Sequence, residues 1–130
     1  MARGNVRFPT MAATYRIDSA GARIFCTLEG VVTDQELIRL QQQLLADPAF
    51  EPNYSQLTDY TGITCFDVSS QTMRLLALPN MLAKGVRLAI VARSEFIFGM
   101  ARMYQLLREG IAEEIRVFRE LDQARRWLDG

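Results

Sequence analysis

Histidine is absent from all 130 residues, which removes the side chain most used for proton transfer near neutral pH and the commonest metal ligand. Cysteine is scarce: Cys26 and Cys65 stand far apart, with neither CxxC nor metal-type spacing, so a reduced cytoplasmic interior is expected rather than a disulfide-stapled secreted fold. Lysine is reduced to Lys84, leaving arginine to carry nearly all the positive charge. Charge of one sign is lacking too. Fifteen basic residues balance fifteen acidic ones, so no global field draws in nucleic acid or an anionic membrane, and neither is expected as a partner. No stretch reaches the roughly 20 apolar residues of a spanning helix, so no integral membrane segment is expected. The opening residues have no apolar core of signal-peptide length.

What is present is a globular composition, 49% hydrophobic and 23% charged, in a length suited to one core. Residues 1–12 are expected to be a disordered leader, with translation starting at Met1 or Met11, followed by one domain over 13–130. Tyr15 and Ile17 alternate with Arg16 and Asp18. After a turn at Ser19-Ala20-Gly21, Ile24, Cys26 and Leu28 alternate with Phe25, Thr27 and Glu29, a hairpin pattern. Thr33-Asp34-Gln35-Glu36 has capping-box spacing and starts a helix at Asp34, with Leu37, Leu40, Leu44 and Leu45 on one face. A loop over Asp47–Asn53 precedes a weak strand over Tyr54–Tyr60. Asp67 or Ser69 caps a second helix holding Met73, Leu75, Leu76 and Leu78, which Pro79 interrupts and Gly85 closes.

The run Leu88-Ala89-Ile90-Val91-Ala92 is apolar at every position, which predicts a parallel strand covered on both faces. Ser94 caps the third helix. There Phe96, Met100, Met103 and Leu107 form a core stripe at helical spacing, while Ile97, Phe98, Ala101, Tyr104 and Leu106 spread apolar character around the cylinder. A helix this apolar is expected to have two partners. Gly110 ends it. Ile115, Val117 and Phe118 form a last strand, and Leu121, Ala124, Trp127 and Leu128 the inner stripe of a closing helix. The fold class is α/β: a β-hairpin followed by alternating helices and largely parallel strands, with about five strands and four helices by pattern and spacing.

Leu28-Glu29-Gly30 before the Thr33-capped helix, Leu57-Thr58-Asp59-Tyr60-Thr61-Gly62, Phe98-Gly99-Met100-Ala101-Arg102-Met103-Tyr104, and Val117 to Leu128 together resemble the STAS, or SpoIIAA-like, proteins of the STAS/SEC14 group. The resemblance spans Thr14 to Leu128. It implies a regulatory serine in a strand-to-helix loop, for which Asp67-Val68-Ser69-Ser70 is the nearest match, so Ser69 and Ser70 are candidate phosphorylation sites. Val68 and Gln71 depart from that motif's small polar residue and glycine. The same residues serve equally well as a helix cap.

Asp59, Asp67, Glu95, Cys65 and Tyr104 offer no nucleophile–base pair or carboxylate pair that spacing alone brings together, so no catalytic residue and no cofactor is expected. Asp59 is a candidate ligand residue near a strand's carboxyl end, or a turn residue before Gly62. Arg93, Ser94 and Arg102 are a candidate anion site at a helix N-terminus, or a structural ion pair and cap. Phe98, Met100, Met103 and Tyr104 are a candidate interface, as large soft anchors on the third helix. The expected function is a non-catalytic, cytoplasmic, STAS-like interaction or sensing domain that forms a homodimer or binds a protein partner. Its alternative is a carrier of a small apolar, lipid-like ligand between the third helix and the sheet, as the SEC14 side of the resemblance implies.

Overall fold

Two periodicities, two for strands and 3.6 for helices, divide the chain along nearly all the expected lines. In the computed structural model, which describes residues 12–77, 86–108 and 114–130, the order is β1 (Ala13–Asp18), β2 (Arg23–Thr33), α1 (Asp34–Ala46), β3 (Ser55–Asp67), α2 (Ser70–Ala77), β4 (Arg87–Val91), α3 (Glu95–Arg108), β5 (Glu114–Phe118) and α4 (Leu121–Asp129). The strands form one five-stranded sheet in sequence order, β1-β2-β3-β4-β5. β1 and β2 pair antiparallel and every later pair is parallel. The expected leader, the end of the second helix at Pro79 and Gly85, and the stop at Gly110 lie outside the described residues.

Strand order explains the layers. Parallel crossovers that step the same way across a sheet share one hand and leave their helices on one face. Accordingly α2 packs on α1 and α3, and these three cover one face, whereas α4, after the last strand, turns back over β3, β4 and β5 on the other. β4 is therefore buried twice. Leu88 and Ile90 pack with Ala101 of α3 and Ile115, while Ala89 and Val91 pack with Ala124 and Leu128 of α4.

At the hairpin turn a Cβ on Gly21 would lie 2.5 Å from an Asp18 carboxylate oxygen, so a larger residue there would push that side chain aside. That carboxylate accepts the Gly21 N–H at 3.1 Å. Gly30, at φ +70°, occupies the left-handed region where the β2–β3 register shifts.

Three expectations need correction. β3 does not stop at Tyr60. It runs on to Asp67 because β2 also continues past Gly30, and Gly30 through Thr33 pair with Ile63 through Asp67 across the bulge. Leu45 is exposed, since α1 offers the sheet only Leu37, Leu40 and Leu44. Glu36 does not close the capping box: Thr33 Oγ1 accepts the Glu36 N–H at 3.4 Å, but the Glu36 carboxylate turns to Arg39.

The third helix departs most. Its buried positions are Ile97, Ala101 and Arg108, and Phe96 is 62% exposed and Leu107 also exposed. The stripe Phe96-Met100-Met103-Leu107 is real as a line on the helix, but it lies about a third of a turn from the buried centre at about 3.6 residues per turn. It forms the border of the covered face rather than its middle.

Candidate functional site

Two helices begin side by side at the carboxyl ends of β2 and β3. Thr33, Asp34 and Gln35 from one and Asp67, Val68 and Ser69 from the other line an open depression of about 340 Å³. Ser69 caps α2, its Oγ accepting the Thr72 N–H at 3.1 Å. Asp34, in the first turn of α1, reaches across: it accepts the Ser69 N–H at 2.8 Å and the Ser69 hydroxyl at 3.1 Å. One carboxylate thus fastens two helix starts, where its charge also meets the positive ends of both dipoles. The Ser69 backbone bond foremost holds the Asp34 carboxyl below its usual range. Ser70 opens α2 and is exposed. A phosphoryl group on Ser69 would face the Asp34 carboxylate, which is repulsive as the side chains stand.

Asp59 lies inside a strand, level with the last β3–β4 pair at Val91, not at the end of its own strand. Its Oδ1 accepts the Thr61 N–H at 2.9 Å and the Thr61 hydroxyl at 2.7 Å, a local turn-type closure within the strand. Among the described residues no ion pair joins it to Arg93 or Arg102.

The arginine-serine constellation comes apart into separate tasks. Ser94 Oγ accepts the Ile97 N–H at 3.1 Å as the cap of α3. Arg93 stands 3.7 Å from Glu120. Arg119 donates to the Arg93 carbonyl at 3.1 Å and to Glu95 at 3.0 Å, and its guanidinium lies 4.0 Å above the Phe98 ring. Arg119 holds the Glu95 carboxyl below its usual range. Arg102 is exposed and has no hydrogen-bond or ion-pair partner among the described residues.

Phe98, Met100, Met103 and Tyr104 are half-buried and pack against the main core, so they are chiefly inward anchors of α3. The residues that carry its apolar outer surface are others: Phe96, Leu106 at 59% exposed, and Leu107, with Leu75 of the neighbouring α2 at 52%. A helical wheel centred on Ile97 and Ala101 would have found them, but the sequence offers apolar residues on too many sides to fix that centre. Arg108, only 2% exposed at the carboxyl end of α3, was not foreseen either. A cation there is favoured by the helix dipole, and basic residues in last turns are the one sequence signal for it.

Beneath the helices, the covered face of the sheet holds a small polar group. Gln56 donates to Thr58 Oγ1 at 3.1 Å and to Cys26 Sγ at 3.4 Å. Burial pushes the Cys26 thiol up to about 12, so it is inert, whereas Cys65 is exposed. No cluster of three or more metal-ligating side chains occurs among the described residues. No helix among them is long and apolar enough to cross a membrane.

No family model matches the chain, and no curated protein matches it. Among solved structures it is similar to an uncharacterized protein from DUF3478 family with a SpoIIAA-like fold from Shewanella loihica PV-4. The two share 18% identity over 95% of this chain and 99% of that one, with a TM-score of 0.59. At that identity the likeness carries the fold alone: the chain has a SpoIIAA-like α/β fold, as its residue pattern suggests.

Proposed function

We propose that this chain is a non-catalytic interaction domain that works as a homodimer through the outer face of α3. The observation that carries the reading is where large apolar side chains meet water. Phe96, Leu106 and Leu107 on α3, with Leu75 on α2, which packs against it, account for most of the exposed large hydrophobics among the described residues. Scattered apolar residues need no explanation, whereas a group on adjacent helices marks a contact surface.

The non-catalytic part rests on what the polar candidates are already doing. Ser69 and Ser94 hydroxyls are helix caps, Asp59 closes its own turn, and Asp34 ties two helices together. Each is committed to the fold: even the hydroxyls that donate to a carboxylate, Ser69 to Asp34 and Thr61 to Asp59, do so within a helix cap and a local turn-type closure. Two free thiols, Cys26 and Cys65, support a reducing compartment such as the cytoplasm.

Sedimentation equilibrium combined with native mass spectrometry tests the reading. A bare dimer is the expected species. A monomer at all concentrations rejects the homodimer, and a stoichiometric apolar mass retained on the protein would favour the carrier instead.

A further inference from the structure

Gly99 sits in the middle of α3, and nothing among the described residues requires a glycine there. A mid-helix glycine disfavours the helix relative to alanine. Yet a Cβ built on Gly99 meets nothing within 4 Å among the described residues, and its φ lies outside the left-handed region. Neither packing among the described residues nor backbone geometry asks for glycine. What glycine does provide is a notch on the outward side, where another backbone can come close.

The ridge around that notch has a particular charge order. Glu95, Gly99, Arg102 and Leu106 follow one another at intervals of four, three and four residues, so they form one line along the helix. All four are exposed, and the Glu95 side chain is 88% accessible. The ridge therefore runs acid, notch, base, apolar. We infer that a second copy of this chain docks on it, the two α3 helices crossing antiparallel about a two-fold axis beside Gly99, with Glu95 of each protomer facing Arg102 of the other.

The register follows from symmetry. In an isologous contact the patch must be its own complement. A parallel pairing would set Glu95 against Glu95 and Arg102 against Arg102. Antiparallel pairing with Glu95 opposite Arg102 puts the axis midway between them, between positions 98 and 99. Charge register and notch thus arrive independently at the same centre. Phe96 then lies within a turn of the crossing and loses its exposure to water. Leu106 reaches past the first turn of the partner helix. Arg102, which has no partner within its own protomer among the described residues, gains one, and Glu95 keeps Arg119 while accepting a second donor.

This geometry rests on the homodimer reading above, and charge exchange separates the two. By sedimentation velocity, Arg102→Glu and Glu95→Arg should each weaken dimerisation about tenfold or more, because each homodimer then opposes like charges at two places. An equimolar mixture of the two variants pairs opposite charges again and should recover the dimer. Gly99→Leu should leave the circular dichroism and unfolding cooperativity intact while abolishing the dimer. A wild-type dimer that neither Arg102→Glu nor Gly99→Leu weakens overturns this geometry and leaves the homodimer standing on another face. A wild-type monomer overturns both.

Discussion

Ile90 and Val91 are neighbours in β4 that point to opposite faces, so truncating each in turn weighs the two layers of the fold separately. Ile90 is buried against the α3 side and Val91 against α4. Ile90→Ala removes three carbons, about 2.4 kcal/mol at roughly 0.8 per buried methylene. The residual cavity raises the loss to about 4 kcal/mol. Val91→Ala removes two carbons, about 1.6 kcal/mol, and about 2.5 with its cavity. Against a total stability of about 5–15 kcal/mol both are large, and both should leave the native state populated. In urea, with a slope of about 2 kcal/mol/M, the midpoints should fall by about 2 M and about 1.2 M. The slope itself should not change. If Val91→Ala costs under about 0.5 kcal/mol, as surface substitutions do, the α4 layer does not cover β4 and the two-sided sheet is refuted. The same result for Ile90→Ala would refute the α3 layer.

Other outcomes follow from single contacts. Phe96→Asp should stay within about 0.5 kcal/mol of wild type in unfolding while giving a soluble monomer, because its ring meets water in the protomer. Phe98→Asp should instead cost several kcal/mol, roughly 3 or more, since that ring packs on the core under Arg119. Ser69→Ala removes the cap of α2 and should cost about 1 kcal/mol by urea unfolding. With a chromogenic thiol reagent, native protein should release one equivalent from exposed Cys65, and the second, from Cys26, only on unfolding. Acid should weaken the fold through Asp34, Asp47 and Glu95, whose carboxyls are held below their usual range by Ser69, Tyr15 and Arg119 respectively. Unfolded carboxyls bind protons first, so this stability is fully present above the unfolded pKa near 4 and is lost as pH falls through the lower folded values. Asp34→Asn should flatten that loss in an acid titration followed by circular dichroism.

The fold was legible where a local pattern has one solution. The hairpin alternation, the Thr33 and Ser94 caps, the doubly buried Leu88–Ala92 run and the inner stripe of α4 all repeat at the period of the element they form. α3 was legible as a helix but not in its rotation, because apolar residues occupy most of its circumference and no polar stripe fixes the outer side. β3 beyond Tyr60 was hidden for a different reason. Thr61, Gly62, Thr64 and Cys65 are neither alternating nor strongly apolar, and only the company of β2 past Gly30 makes them strand. Of the candidate sites, the caps at Ser69 and Ser94 could be read from spacing. The bridge from Asp34 to Ser69 could not, because 35 residues separate partners that only the parallel pairing of β2 with β3 brings together.

The two-fold axis beside Gly99 can be trapped covalently. A cysteine at position 99, in a Cys65→Ser background, would bring two Sγ atoms together across the axis, where a disulfide needs Cα atoms about 4.4–6.8 Å apart. Mild oxidation followed by a non-reducing gel should give rapid, near-complete covalent dimer for Gly99→Cys, and almost none for a control cysteine at exposed Arg125 on α4. Cross-linking at position 99 no faster than at position 125 would contradict the account.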